Sequence, residues 1–458
     1  MAHESPRSDP PHYHCVGVGI GPANLSLASL LYVRPDVTNL FIDRKKSFSW
    51  HDGQQIPGSS LQVSLFKDLV TLADPKNPFS FLAYLHDQGR LYHFINAQFD
   101  DLPRLEFRNY LEWASRCNEN IVFGETVEEV TFDRVFTVRT DRRTVTAHNM
   151  VVGVGSQPWV PPQAADKLGP THFHVSEYLN ATQDLGGKRV VVVGGGQSGA
   201  EAFLDLISRP ARKLPRRVSW ISRRANYFPI DDTPFTNDYY MPSHADYFFG
   251  LDRKTRQEFN ERHVLTSDGI SESTLRAIYQ RAYLHRFVDG NVDLVGLYPN
   301  REVVDVSTGL YGGWQISTRH NDDRGAVEQF EADVVIWATG FRPTRMDFLA
   351  PIAHRLERDG EELRIDEDYA VHWDGPEDRR VFVQNAARGQ RGLADPNLSL
   401  NAWRSQRIAD RLGKVSSNEQ FPSFIEWSTK PAGSQPQPQS QPQSQPQPQP
   451  QPQPRKGA

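Results

Sequence analysis

GVGIGPAN at residues 17–24 and GGGQSGAE at residues 194–201 decide how this chain is read. Each follows a short apolar run, HCVGV at the first and KRVVVV at the second, and each leads into a stretch with helical character. Strand, glycine turn and helix in that order build a phosphate site. The glycines let the backbone turn tightly and approach a pyrophosphate, whose charge meets the free N–H groups of the helix N-terminus. Gly17, Gly19 and Gly21 carry the first turn, with Pro22 standing where the fingerprint places its third glycine, while Gly194, Gly196 and Gly199 keep the usual spacing. Two such units predict an α/β protein with two Rossmann-like dinucleotide-binding domains and a smaller, partly helical substrate region.

An acid about twenty residues past such a turn holds a ribose hydroxyl. Asp43, ending NLFID, fills that place, or is an ordinary turn residue. Past the second turn the strand VSWIS runs instead into Arg223 and Arg224, a pair that suits a 2′-phosphate or else forms a solvated face. The first reading assigns NADP to the second turn.

The 458 residues favour two or three domains, and 38% hydrophobic content supplies a packed body. A net charge of −5 gives no argument for nucleic acid or an anionic membrane as partner. No apolar run approaches the ~18 residues of a spanning helix, and MAHESPRSDPPHYH lacks a signal-peptide pattern. These features predict a soluble, cytoplasmic protein. Cys15 and Cys117 are the only cysteines, too far apart for the redox pair of a disulfide reductase and too few for a structural zinc site, so no metal is expected. Both read as buried structural thiols.

The expected organisation is a flexible arm at 1–12, a discontinuous first nucleotide domain at 13–160 plus 330–427, and a second at 161–329 with a helical substrate segment at about 235–290. DVVIWATG at 333–340 reads as a late strand returning to the first sheet. Pro and Gln alternate over 428–458, a composition with no apolar surface to offset ordering, and predict a disordered tail.

Six segments together carry a family resemblance: FSWHDG at 48–53, LQVSLFKDLVTLADPKNPFSFLAYL at 61–85, GGGQSGAE at 194–201, LTSDGI at 265–270, DVVIWATGF at 333–341 and LSLNAWRS at 398–405. The set resembles the flavin-dependent N-hydroxylating monooxygenases acting on lysine and ornithine. The resemblance implies FAD at the first turn, NADPH at the second, and O2 consumed through a C4a-hydroperoxide of the reduced flavin to hydroxylate a side-chain amine. It also implies residue roles. Trp50, His51, Gln62, Val127 and Leu398 would contact FAD together with Gly17, Gly19, Gly21, Pro22 and Asp43. Gln197, Ser198 and Arg223 would join Gly194, Gly196 and Gly199 around NADPH. Lys67 would face the substrate carboxylate, with Asn237, Thr266 and Ser399 completing the pocket. No residue is assigned a catalytic role, because the flavin carries the chemistry.

Lys67 favours an amino acid over a diamine, since a cation attracts a carboxylate and repels a second ammonium. LTSDGI, with Thr266, resembles the lysine branch, which points to L-lysine N6-hydroxylation for siderophore or other N-oxidised metabolite synthesis. The alternatives are L-ornithine, a diamine such as cadaverine or putrescine, and a non-catalytic flavin module whose tail recruits a partner. A homo-oligomer is compatible with the resemblance. One departure stands out in GQRGLADPNLSL at 389–400, where Arg391 replaces a histidine usual in the family.

Overall fold

The computed structural model describes residues 9–182, 184–309, 312–323, 325–415 and 423–427. The proposed tail and most of the proposed arm lie outside them. His12, placed in the arm by the sequence, already belongs to the first strand, His12–Val18.

Near-continuous runs of apolar residues, as in NLFID, RVVVV and VVIW, produce strands buried on both faces, and these form the parallel centres of two sheets. In the first, His12–Val18 lies between Asn39–Asp43 and Thr144–Val152, both parallel to it, and Ile121–Phe123 extends the edge beyond Asn39–Asp43. Phe136–Thr140 and Val127–Phe132 continue the other side as an antiparallel meander. The late strand Val381–Val383 pairs in parallel with the carboxyl half of Thr144–Val152, so a segment far along the chain completes this sheet. The helices Pro22–Tyr32 and Asn401–Gly413 pack against it.

In the second sheet the order is Val295–Tyr298, Arg217–Ile221, Arg189–Val193, Val334–Trp337 and His172–His174, all parallel. This corrects the expectation for DVVIWATG: the strand does not return to the first sheet. Its four residues are buried between Arg189–Val193 and His172–His174, and Asp333 just before it accepts from the Arg189 backbone N–H at 2.7 Å. A three-stranded meander spanning Arg301–Thr308, Trp314–His320 and Val327–Ala332 precedes it and keeps it in the second unit. The chain crosses back only at Phe341–Pro343, which pairs antiparallel with Ser156–Pro158.

Helices occupy much of 234–288, from Pro234–Asn237 through Glu272–Tyr283. They divide between the two units, because Tyr240 and Ala245 join the first apolar core whereas Ile270 and Ile278 join the second. The described end of the chain contributes Trp427, whose ring lies 4.7 Å from that of His244 and 5.8 Å from that of Tyr239. Cys15 is buried, and burial pushes its thiol far up. Cys117 is exposed, contrary to expectation, at the last position of the helix Arg104–Cys117.

Candidate active site between two glycine turns

Both glycine turns sit where a strand's carboxyl end meets a helix N-terminus. Gly21 caps Pro22–Tyr32 and Gly196 caps Gln197–Ser208, each in extended conformation, leaving the first helical N–H groups without intrahelical acceptors. A side chain added at Gly21 would meet no atom within 4 Å, and one at Gly196 would meet only the Asp268 carbonyl at 3.7 Å. Space, free donors and the positive helix end therefore coincide at both turns, and fit two pyrophosphates.

Asp43 is buried at the end of its strand, where its Oδ2 accepts from the Ile20 N–H at 2.6 Å and its Oδ1 from the Lys45 N–H at 2.8 Å. The carboxylate thus shapes the first turn directly. Asn24 braces it from within: its Nδ2 donates to the carbonyls of Val18 and Gly19, and its Oδ1 accepts from Gln384 at 2.8 Å. Arg404, fully buried, donates to Gln384 and pairs with Asp395 at 3.1 Å. Val127 follows the 124–126 turn, whose Gly124 and Glu125 N–H groups bond the carbonyls of Lys45 and Asp43. That segment is beside the first turn.

Trp50 and His51 follow on a loop packed against the same unit. The Trp50 ring meets Phe107 at 5.8 Å and His51 at 5.1 Å. His51 adopts a left-handed φ of 51°, a strained setting for a non-glycine residue. Its imidazole is accessible yet recessed, and desolvation, then the Arg104 charge, hold its pKa below the ordinary value. Phe341 stands 5.7 Å from His51 and 5.1 Å from His174, so one ring cluster joins the loop to the carboxyl end of the second sheet. Two buried polar atoms on this loop, Gln54 Nε2 and Gln55 Oε1, have no hydrogen-bond partner among the described residues. Gln62 is exposed nearby.

At the second turn, Gln197 receives the Ser271 N–H at 2.8 Å and donates to Glu201 at 2.9 Å, while the Ser198 hydroxyl is half-buried. Arg223 is exposed at the end of Arg217–Ile221. Its neighbour Arg224 is committed instead to the fold, donating to the carbonyls of Gly195 at 3.0 Å and Asp268 at 2.8 Å. Burial lowers the pKa of Arg224.

The remaining residues divide sharply. Lys67 precedes Asp68, a buried carboxylate that accepts from the N–H groups of Val70, Thr71 and Phe81 and so fixes the loop. The Lys67 ammonium is half-buried, makes no hydrogen bond or ion pair among the described residues, and is lowered in pKa by desolvation. Asn237 is exposed, its amide donating to the Asp232 carbonyl. Thr266 is buried, with its hydroxyl donating to the His263 carbonyl and lying 3.1 Å from the Tyr240 hydroxyl. Ser399 is also buried and bonds Asn397 Oδ1 at 2.8 Å, with Leu398 half-buried beside it. Arg391 is a bracket: wholly buried, it pairs with Asp246 at 3.1 Å, donates to the Asp366 and Glu367 carbonyls, and lies over the Phe249 and Tyr369 rings. Its replacement of histidine is thus absorbed by packing.

Sequence reasoning passed over Asn24, Arg104 and Glu201. Asn24 and Glu201 stand inside the quoted turns, but their partners come from distant segments that no local pattern announces.

Two sheets with parallel centres, each carrying a glycine turn between a strand and a helix, define a two-dinucleotide α/β oxidoreductase. Residues 11–343 match the L-lysine 6-monooxygenase/L-ornithine 5-monooxygenase family, and the chain belongs to that family. It is 37% identical over 423 residues to the L-lysine N6-monooxygenase of Escherichia coli, covering 90% of this chain and 97% of that protein. Among solved structures it is similar to the FAD-bound cadaverine monooxygenase of the desferrioxamine pathway from Erwinia amylovora, with a TM-score of 0.83, 28% identity, and coverage of 90% and 99%. A Kutzneria ornithine N-hydroxylase with reduced FAD, NADP+ and L-ornithine gives a TM-score of 0.81 at 29% identity, covering 88% and 99%. The protein is an enzyme of this amine N-hydroxylating type. No helix among the described residues is long and apolar enough to cross a membrane.

Proposed function

We propose that this enzyme uses FAD at Gly17–Pro22 and NADPH at Gly194–Gly199 to hydroxylate the side-chain amine of L-lysine. The observation that carries the choice of an amino acid is Lys67. A half-buried ammonium with no carboxylate partner is costly unless a ligand supplies one, and an α-carboxylate does. The similarity to the Escherichia coli lysine enzyme supports lysine over ornithine. Thr266 does not add to that support, because its hydroxyl is spent on Tyr240 and His263.

Bound FAD supplies the oxygen chemistry and NADPH the hydride. The chain's own work is to place and to desolvate. Gly21 and Gly196 leave room for phosphates, Trp50 offers ring area to the flavin, and Arg223 is free to meet a 2′-phosphate. The substrate amine reacts as the neutral form although its free pKa is about 10.4, so a site that disfavours charge helps. Desolvation already acts this way on Lys67.

A second reading is a diamine substrate, favoured by the fold similarity to the cadaverine monooxygenase. Purified protein with FAD and NADPH, offered L-lysine, L-ornithine, cadaverine and putrescine in parallel, separates the readings by hydroxylamine formed. Product from lysine is expected, and Lys67→Met should raise the lysine KM while leaving flavin reduction by NADPH intact. Product from the diamines alone would sink the carboxylate role.

A further inference from the structure

Trp50–Ser60 belongs by sequence to the first unit but docks on the second. Ile56 is buried in the second apolar core. Gly53 packs so closely on the Ser176 backbone that any side chain there would overlap the Ser176 carbonyl oxygen. Behind this loop stands Arg104, first residue of the helix Arg104–Cys117, whose guanidinium donates to the Ser60 carbonyl at 3.2 Å and the Gln54 carbonyl at 3.5 Å. The same guanidinium grips Glu201 in the second unit through two bonds of 2.6 and 2.9 Å. The side chains are only 15% and 8% exposed.

Glu201 lies one helical turn beyond Gln197 and accepts from its Nε2 at 2.9 Å. Gln197 in turn holds the Ser271 N–H, tying the second glycine turn to the helix Glu272–Tyr283. One continuous set of charge-assisted bonds therefore runs from the loop bearing Trp50 and His51 to the second turn. A buried ion pair adds little net stability compared with apolar packing, but its planar, bidentate geometry fixes direction.

We infer that Arg104 and Glu201 are positioning residues that set the distance and angle between the two nucleotide sites. The inference rests on the two-nucleotide reading proposed above. Hydride transfer needs the donor and acceptor rings held within a narrow range, so loosening this pair slows transfer without removing any group that touches either ring.

The test uses FAD-loaded protein and the variants Arg104→Lys, Arg104→Met and Glu201→Gln. Hydrogen exchange is followed at the amides of 52–60 and 197–201, and flavin bleaching by NADPH is timed without oxygen. Arg104→Met and Glu201→Gln should raise exchange in both segments by about tenfold or more and slow bleaching by about tenfold, with NADP+ affinity changed by less than about threefold. Arg104→Lys, which keeps the charge but not the fork, should fall between them and the parent. Unchanged exchange in Arg104→Met overturns the inference whatever the activity. Exchange that rises across both sheets together with loss of flavin marks general destabilisation and also overturns it. A parent that cannot oxidise NADPH would sink the proposed function instead, and the exchange result would still decide the brace.

Discussion

The two glycine turns reach similar backbone shapes by different means. The first is held by side chains: Asp43 on the Ile20 N–H, Asn24 on two carbonyls, and behind Asn24 the buried set Gln384, Arg404 and Asp395. The second is held mainly by close packing against adjacent strands. The Trp220 indole donates to the Gly194 carbonyl at 2.7 Å, Gly199 packs on that carbonyl oxygen, and Ala338 from the adjacent strand closes over Gly194. A turn with Pro22 in place of a glycine thus draws its rigidity from buried polar side chains, whereas the regular fingerprint is held by close backbone packing and an indole donor from the adjacent strand.

The largest effect should come from breaking the remote support of the first turn. Arg404 and Asp395 are 0% and 1% exposed, so Arg404→Met leaves an uncompensated buried carboxylate. Removing one partner of such a pair costs about 3–5 kcal/mol. Urea unfolding and flavin-to-protein ratio should both fall, and Trp220→Phe, which deletes one hydrogen bond worth about 1 kcal/mol, should leave flavin content unaltered. Equal flavin loss in both variants would erase the distinction.

Acid should weaken the second unit by a comparable amount. The His174 Nδ1 accepts from the Ser176 N–H, so the neutral ring carries its proton on Nε2 and donates to the Gly340 carbonyl at 3.1 Å. Desolvation lowers its pKa to about 4. The unfolded chain therefore binds a proton that the folded chain refuses between about pH 6.5 and pH 4, and stability falls as pH drops through that window. The loss amounts to on the order of 3 kcal/mol once the pH is below the folded value. His174→Gln should lose less stability than the parent between pH 7 and pH 4.5 in parallel denaturant melts. Identical slopes would remove His174 from the account.

Glycine substitutions sharpen the contrast further. Gly194 has φ +137° and a Cβ there would overlap the Ala338 carbonyl oxygen, so Gly194→Ala should cost about 1–3 kcal/mol and NADPH binding together. Gly21→Ala meets nothing in the protein, so thermal unfolding of the flavin-free form should be unchanged while flavin affinity drops. A loss of stability in Gly21→Ala would mean that the space at this turn is not reserved for a ligand.

Much of this was legible in the sequence because it is local. Strand, turn and helix around Gly17 and Gly194 are contiguous patterns, as is the family resemblance over six segments. What failed was non-local. VVIW at 334–337 is an apolar run that suits the centre of either parallel sheet, and only pairing with Arg189–Val193 and His172–His174 assigns it. The internal acceptors of the Thr266 and Ser399 hydroxyls, His263 and Asn397, were likewise not visible in the sequence. Asp43 sits at the expected strand end, but its partners are backbone N–H groups that no side-chain motif displays.

The finest test of the difference between the turns lies in the adjacent arginines. Arg224 donates to Gly195 and Asp268, so Arg224→Gln should lower the melting temperature through loss of charge-assisted bonds worth about 1.5–3 kcal/mol and weaken NADPH and NADH alike. Arg223 is exposed, its guanidinium makes no hydrogen bond or ion pair among the described residues, and its carbonyl accepts from the Asn321 amide at 2.7 Å. Arg223→Gln should therefore leave the melting temperature in place and raise the KM for NADPH about tenfold, the loss of one exposed charge from a phosphate, with NADH unaffected. Steady-state kinetics with both cofactors on both variants decides it. If Arg224→Gln alone erased the preference for NADPH, the phosphate would belong to the arginine that also shapes the turn, and recognition and rigidity at the second site would be one function.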